Sequence, residues 1–187
     1  LVGEKNLESE ADQNYAEVER LLSRLGLRVV VRFCRNCDAA TLMRLGSAQC
    51  FILRDERAAD AGQVIGERFG RPVLPEFPRG LSGCLAFLRD AGRACGIPEE
   101  RINTAVAEET AFQERMLKRF ANLSGCSVFL GAEPFAGTTA VAREAVARLG
   151  MHESPDGIPI RLPFYLPVGT AGVEKMLYLW RREVHND

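Results

Sequence analysis

Arg28-Val29-Val30-Val31-Arg32-Phe33 and Cys50-Phe51-Ile52-Leu53 are two short apolar runs rich in β-branched and aromatic residues. Such continuous apolar runs are typical of strands that are buried on both faces of a parallel sheet. Residues 10–25 precede the first run and residues 56–69 follow the second, and both segments place apolar residues three or four positions apart, as amphipathic helices do. Because parallel strands need a long crossover, this alternation predicts βαβ units.

The same alternation continues along the chain. The further elements that we expect are a helix capped by Ser82 and ending at Cys95, a long helix over 98–123, strands over 127–130 and 158–162, and helices over 138–149 and after Gly172. We therefore expect an α/β fold with a parallel sheet flanked by helices, a three-layer Rossmann-like arrangement. Its expected organisation is a first α/β unit over 1–96, a linking long helix over 97–124 and a second, incomplete unit over 125–187.

Two loops carry the same pattern, Pro-x-Gly-x-x-Gly, at Pro78 to Gly83 and at Pro167 to Gly172. Each lies between an expected strand and an expected amphipathic helix, which favours two consecutive related units. The alternative is coincidence, because proline and glycine are common in such loops. Neither loop has the Gly-x-Gly-x-x-Gly pattern of a dinucleotide site, so we interpret both as tight turns.

Composition excludes several classes of protein. The chain has 187 residues, 24 basic and 25 acidic side chains and a net charge of −1, so it is too near neutral to depend on nucleic-acid phosphates. No apolar run approaches the roughly 20 residues that span a bilayer, and six cysteines are too few for a small disulfide-rich scaffold. We expect a cytoplasmic protein without nucleic-acid or membrane partners. Leu1-Val2-Gly3-Glu4 resembles the end of a strand, so we also expect a piece of a larger protein.

Cys34 and Cys37 are the main candidates for chemistry. They follow the expected strand over 28–33 and precede a short helix that Asp38 can cap, so they lie at the carboxyl edge of the sheet, where open α/β sheets bind ligands. A redox dithiol, half of a zinc site and iron–sulfur ligation are all compatible with this spacing. Two unligated cysteines in a surface loop are the alternative, since no second Cys-x-x-Cys or His-x-x-x-His pair is present to complete a site.

Other polar and sulfur-containing positions favour ordinary structural roles. We expect Cys50, Cys84, Cys95 and Cys126 to act as small hydrophobic residues of the core. The loop over 131–139 could turn backbone amides toward an anion, but it lacks the glycine spacing and lysine of a P-loop. The acidic cluster Glu108, Glu109 and Glu114 fits the solvated face of the long helix.

Taken in order along residues 1–150, these features resemble the nitrogenase component 1 type oxidoreductases. The matching segments are Leu1-Val2-Gly3-Glu4, Leu22 to Leu27 before RVVVRF, the short helix after Asp38, CFIL, Glu67-Arg68-Phe69-Gly70-Arg71-Pro72, Phe77-Pro78-Arg79-Gly80, Ser82 and Phe87-Leu88. The resemblance implies a central domain plus the start of the next, from a subunit built of three similar α/β domains. It also implies an iron–sulfur cluster in the full-length complex, bound mainly outside this chain, with none firmly expected on these residues.

The resemblance further implies a second homologous subunit and an ATP-dependent iron-protein reductase as partners. In α-type nitrogenase subunits, a cysteine that follows the second strand ligates the active-site cofactor, and Arg54 stands at that position here, four residues after Cys50. Arg54 could pair with a carboxylate or a cluster; an ordinary surface arginine is the alternative.

The function that these features favour is part of a nitrogenase-like oxidoreductase subunit. Such a subunit passes electrons from the reductase to a bound substrate, and this piece would be inert alone. A non-catalytic scaffold or metallocofactor-assembly protein of the same fold is the alternative. A third possibility is an unrelated α/β ligand-binding domain, in which Cys34 and Cys37 have no role.

Overall fold

The computed structural model describes residues 1–3, 10–33, 37–134 and 136–185. The chain divides into two compact units, which are described separately. The first unit comprises Leu1–Pro78 and Ala86–Ala107, and the second comprises Arg79–Leu85 and Glu108–Asp187.

Short parallel strands alternate with longer helices, so the predicted α/β fold with parallel sheets flanked by helices is confirmed. The helices are α1 (Ala11–Arg24), α2 (Ala39–Leu42), α3 (Ala59–Phe69), α4 (Gly80–Ala94), α5 (Glu99–Lys118), α6 (Thr138–Leu149) and α7 (Gly169–His185). The strands are β1 (Phe51–Ile52), β2 (Val73–Leu74), β3 (Ser127–Leu130), β4 (His152–Glu153) and β5 (Ile158–Ile160), and short 3-10 helices cover Met43–Ser47, Glu56–Ala58 and Ala121–Leu123. Among the described residues, no helix is both long and apolar enough to cross a bilayer.

The sheet of the first unit is built around Val2. This residue forms parallel bridges to Phe33 on one side and to Leu53 on the other, and β1 pairs in parallel with β2. All of these segments therefore point the same way, and their carboxyl ends share one edge. The position of Val2 between two parallel neighbours agrees with the strand end expected at Leu1-Val2-Gly3.

The expected strand over 28–33 is much shorter than its apolar run. Only Phe33 forms a bridge, and the segment's hydrogen bonds to Leu1 are a donation from the Leu1 nitrogen to the Val31 carbonyl (2.7 Å) and one from the Phe33 amide to the Leu1 carbonyl (2.8 Å). A ladder needs a partner residue at every second position. Val29 and Val30 are half-buried and lie outside the strand.

Helix α3 packs on the strands of the first unit through glycines. The apolar spacing within 56–69 predicts a buried stripe of Ala61, Val64, Ile65 and Phe69, which is partly wrong. Val64 is 64% exposed, and the fully buried positions of the helix are Gly62 and Gly66. A Cβ on Gly62 would lie 2.7 Å from both methyl groups of Leu53, and one on Gly66 would lie 2.6 Å from a methyl group of Val73. The two glycines therefore let the helix approach the sheet closely, a property that a hydrophobicity pattern does not reveal.

The second unit has a parallel sheet in the order β4-β3-β5. Helix α6 connects β3 to β4 and contacts β4, and α7 follows β5 and packs on it. The core between these elements is apolar, and Trp180 at its centre donates its ring N–H to the Arg161 carbonyl at 2.9 Å. Its largest fully buried side chains are Leu81, Phe120, Leu123, Met176, Leu177 and Trp180.

The two Pro-x-Gly-x-x-Gly loops lie side by side in the second unit. Arg79 pairs antiparallel with Val168, and the Gly80 amide donates to the Pro167 carbonyl at 3.2 Å. Gly80 and Gly169 have nearly the same positive φ (66° and 64°), and α4 and α7 begin there. Both helices thus start earlier than the predicted Ser82 and Gly172, because the first glycine of each motif makes the turn that a Cβ would strain.

The close contacts of the α3 glycines predict that replacing one of them by alanine lowers the free energy of unfolding. We expect Gly62→Ala to destabilise the protein by about 1 kcal/mol or more, because the steric conflict with Leu53 outweighs the roughly 1 kcal/mol that alanine gains in helix propensity. Gly46→Ala is the matched control, since the nearest atom to its Cβ is 4.0 Å away. Urea unfolding measures both variants, and a Gly62→Ala protein more stable than the parent would contradict this packing.

Candidate functional site

Arg54 lies at the carboxyl edge of the first unit's sheet, directly after the bridge at Leu53. Its amide donates to the Val2 carbonyl at 2.8 Å, and its own carbonyl accepts from the Phe77 amide at 3.4 Å. The guanidinium carbon lies 5.4 Å from the centre of the Phe77 ring, within the range of a cation–π contact. The half-buried Arg54 is thus positioned by the strand beneath it and by one aromatic face.

Asp55 adds a negative charge beside Arg54. Its carboxylate accepts from the Arg57 amide at 3.0 Å, and it forms an ion pair with the Arg57 guanidinium. Burial opposes ionisation of Asp55, but the hydrogen bonds and charge of Arg57, together with the charge of Arg54, outweigh it and hold the pKa of Asp55 below its ordinary value. This edge therefore carries fixed charges of both signs.

The predicted cysteine pair is only partly described. Cys34 lies outside the described residues, whereas Cys37 is half-buried and its thiol donates to the Arg32 carbonyl at 2.7 Å. The predicted cap is present, since Asp38 accepts from the Thr41 amide at 2.7 Å, and this hydrogen bond lowers the pKa of Asp38. Helix α2 has only four residues, so its dipole gives little support to a thiolate. A ligand or redox role for Cys34 and Cys37 stays a prediction.

The other cysteines separate into two groups. Cys84 is fully buried in the second unit and donates to the Gly80 carbonyl at 3.1 Å, as a core residue would. Cys126, also in the second unit, is half-buried and packs against the apolar core there. Cys50 and Cys95 are half-buried in the first unit, and their sulfur atoms lie 3.3 Å apart. The expected burial in the core is therefore wrong for this pair, because both side chains are only half-buried.

The hydrogen bond between the two thiols shifts their pKa values in opposite directions. It raises the pKa of Cys50, which burial raises further, and it lowers the pKa of Cys95 against the opposing effect of burial. The physical reason is that the Cys50 S–H can donate to a Cys95 thiolate. Both sulfurs also line a pocket of about 80 Å³, whose other walls include Leu1, Leu22, Leu27 and Leu45.

Sequence reasoning missed this pair because 45 positions separate its members. Cys50 precedes a strand and Cys95 follows a helix, and no short motif joins them. The only signal in the sequence is that each stands at the end of an element, where side chains remain accessible.

The starts of α4 and α6 are capped by the chain's own carboxylates. Glu133, in the loop over 131–139, accepts from the Thr139 amide at the start of α6 at 2.9 Å. Glu144 accepts from the amides of Leu81 (3.0 Å) and Ser82 (2.7 Å) at the start of α4. These carboxylates satisfy the amides that a phosphate would use, which agrees with the absence of a P-loop pattern.

The acidic cluster on α5 is not uniformly solvated. Glu108 and Glu114 are exposed, but Glu109 is fully buried and accepts from the Thr170 hydroxyl at 2.7 Å. Gln113, one turn later and also fully buried, donates to the Leu81 carbonyl at 2.9 Å. The expectation for Glu109 is therefore wrong, because the apolar stripe of α5 continues through Glu109 and Gln113.

A family model described as nitrogenase component 1 type oxidoreductase matches residues 1–153 of this chain. The chain belongs to this family. A curated relative, the nitrogenase molybdenum-iron protein alpha chain of Methanothermococcus thermolithotrophicus, is 29% identical over 135 residues, which are 70% of this chain and 27% of the relative.

Solved structures support the fold of this nitrogenase-type chain. Those described as nitrogenase Cp1 at pH 5 and at pH 6.5 have TM-scores of 0.56 and 0.55, each at 17% identity. The matches cover 82% and 83% of this chain but only 31% and 30% of those chains. The chain thus spans about a third or less of the length of the relatives that it matches.

The described ligand side chains of this family member do not converge on a single metal ion within either unit. Iron–sulfur clusters are held by cysteine thiolates, commonly four. Within either unit, no three described Cys, His, Asp or Glu side chains bring their ligand atoms within 4.8 Å of one another. Arg54 adds a charge but no ligand, because a guanidinium has no acceptor atom.

The cap that Glu144 provides predicts a measurable loss of stability. We expect Glu144→Ala to cost about 1 kcal/mol, since two amides at the start of α4 lose their acceptor. Glu153→Ala is the matched control; it removes only an exposed ion pair with Arg143 and should cost less than about 0.5 kcal/mol. If urea unfolding gave the same loss of unfolding free energy for both variants, Glu144 would not cap the helix.

The cap at Glu133 predicts a pH dependence. Hydrogen bonds from the Thr139 amide hold the pKa of Glu133 below its ordinary value. A carboxyl whose pKa is lower in the folded state stabilises the fold above its unfolded pKa, and this contribution is lost as the pH falls through the folded pKa. NMR titration of the Glu133 side chain should therefore give a midpoint below about 4.3, the ordinary value for glutamate. A midpoint at or above that value contradicts the cap, and Glu133→Gln should remove the corresponding part of the acid dependence of stability.

Proposed function

We propose that this chain is part of a nitrogenase-like iron–sulfur oxidoreductase subunit, which passes electrons from an ATP-dependent reductase to a bound substrate. The observation that carries the proposal is the family match over residues 1–153, most of the chain. The relative from Methanothermococcus thermolithotrophicus, a nitrogenase alpha chain, supports the same role. We propose that this chain is inert alone, since it spans about a third or less of the length of the relatives that it matches.

The chain's own contribution to such a subunit is the charged carboxyl edge of its first unit. Open α/β sheets bind ligands at this edge, and Arg54 is the cation there. A guanidinium donates several hydrogen bonds in a fixed plane and suits carboxylates and other anions. We propose that Arg54 holds an anionic group of the substrate or cofactor by charge and hydrogen bonding, while Phe77 limits the directions in which it can point.

The proposed partners follow from the family. A second homologous subunit would complete the complex, and an iron-protein reductase would supply the electrons. Metal–sulfur clusters in the full-length complex belong to the same proposal, with ligands mainly outside this chain. Cys34 and Cys37 remain candidate ligands at the edge of the first unit.

One observation favours a second candidate, a non-catalytic scaffold or metallocofactor-assembly protein of the same fold. By its resemblance to α-type subunits, the chain should have a ligating cysteine after the second strand, but it has Arg54 there. An arginine can attract an anionic cluster without forming a bond to metal. Such a protein would bind a maturing cofactor in transit and show no turnover.

The test uses the protein expressed from its complete reading frame under anaerobic, iron-replete conditions. Iron and acid-labile sulfide analysis, electron paramagnetic resonance and turnover with a reductase separate the candidates. Stoichiometric cluster and reductase-dependent turnover support the oxidoreductase, and cluster that transfers to an acceptor protein without turnover supports the scaffold. Absence of any cluster would contradict both.

Arg54 has its own test within that experiment. We expect Arg54→Ala to weaken ligand binding by about tenfold or more and Arg54→Lys to recover part of the loss, since lysine keeps the charge but not the planar geometry. Arg68→Ala is the matched control, because Arg68 is an exposed arginine on α3. Equal binding by the Arg54 and Arg68 variants would show that Arg54 is an ordinary surface residue.

A further inference from the structure

Cys50 and Cys95 form a feature of the first unit that the family's chemistry does not explain. Their sulfur atoms lie 3.3 Å apart, within hydrogen-bond distance. Cys50 precedes β1, at the amino end of the strand, whereas Arg54 follows at the carboxyl end. The thiol pair is therefore separate from the edge at which the proposed ligand binds.

The backbone on both sides of the pair is held in place. Cys95 follows α4, its amide donates to the Ala91 carbonyl at 3.0 Å, and the next residue, Gly96, turns the chain with a positive φ of 68°. Phe51, next to Cys50, donates its amide to the Pro72 carbonyl at 2.9 Å. The short distance between the sulfurs thus follows from two fixed elements.

We propose that Cys50 and Cys95 are a reversible redox site, which a peroxide oxidises to a disulfide and a thiol reductant restores. A disulfide needs its sulfur atoms about 2 Å apart. The present separation of 3.3 Å can close by side-chain rotation, because both thiols already point toward each other. The bond would link the start of β1 to the end of α4.

The pocket beside the pair gives the oxidant access. Both sulfurs line this space of about 80 Å³, whereas roughly 10–15 Å³ is enough to hold a water molecule, so a molecule the size of hydrogen peroxide fits. Leucine and valine form most of the other walls, together with Arg28, Ser47 and Gln49, and the thiols are the groups that a peroxide oxidises. Cys95, whose pKa the hydrogen bond lowers, is the sulfur that ionises first.

The proposed oxidation has two steps, in which atoms and electrons are conserved. The Cys95 thiolate attacks one peroxide oxygen, the O–O bond breaks, and a sulfenic acid and hydroxide form. The Cys50 sulfur then attacks the Cys95 sulfur, the S–S bond forms, and the second hydroxide leaves. The two thiol protons convert both hydroxides to water, so one peroxide is reduced by two electrons and two thiols become one disulfide. A dithiol reductant reverses the result by exchange.

The test treats the reduced 187-residue chain with dilute hydrogen peroxide, blocks the remaining thiols by alkylation and maps the tryptic peptides by mass spectrometry. Cys50 and Cys95 are the single cysteines of the peptides over 45–54 and 94–101. We expect these two peptides to appear linked, with the loss of two hydrogen atoms, and to separate again with dithiothreitol. The linkage should form roughly tenfold or more faster than Cys126 is oxidised, because the paired thiols are already adjacent.

Variants and stability provide the controls. Cys50→Ser and Cys95→Ser should each abolish the linked peptide, while Cys126→Ser, which changes a half-buried cysteine outside the pair, should leave it unchanged. The oxidised parent should have a Tm higher by about 5 °C or more, since the crosslink restricts the unfolded chain. Circular dichroism identifies a variant that fails to fold, and the peptide map of the parent decides the proposal without any variant. It is overturned if Cys50 and Cys95 remain unlinked while Cys126 is oxidised, or if dithiothreitol does not separate the linked peptides.

Discussion

Backbone hydrogen bonding at Val2 is the constraint on which the first unit depends. Its amide donates to the Ile52 carbonyl at 2.9 Å, and its carbonyl accepts from the Arg54 amide at 2.8 Å. A buried backbone group without a partner costs much of a hydrogen bond's free energy, so these contacts set one register between the segments. That register places Arg54 at the carboxyl edge of the sheet and Cys50 four residues earlier, roughly 13 Å away along an extended chain. The short strand β1 thus separates Arg54 at its carboxyl end from the Cys50–Cys95 pair at its amino end.

Two other kinds of contact stabilise the structure: glycines that let a helix approach the strands, and carboxylates that cap the starts of helices. Gly62 and Gly66 let α3 approach the strands of the first unit. In the second unit, Glu144 satisfies amides at the start of α4 from 62 and 63 positions away, and Glu133 does the same locally for α6. Because these carboxylates already accept from the amides at the starts of α4 and α6, the loops before these two helices have a structural role.

The family assignment and the local chemistry together limit the function of this chain. The chain belongs to the nitrogenase component 1 type oxidoreductases, yet it spans about a third or less of the relatives that it matches. Its described residues supply a cation, a carboxylate and a thiol pair, and within either unit no three described ligand side chains converge on one metal ion. The proposed role, a domain that contributes charge to one side of a larger site, agrees with these observations.

The sequence by itself determined the α/β class, the parallel sheets, the positions of most helices and the family, because hydrophobic periodicity and ordered motifs are local properties. Only the tertiary structure decided which face of α3 is buried, that Glu109 lies inside, that Glu144 caps a distant helix and that Cys50 meets Cys95. Each of these depends on a contact between residues far apart in the chain or on the space beside a glycine. Neither kind of information is present in the spacing of neighbouring side chains. The local pattern leaves several helix faces and several contact partners equivalent, and only tertiary packing selects among them.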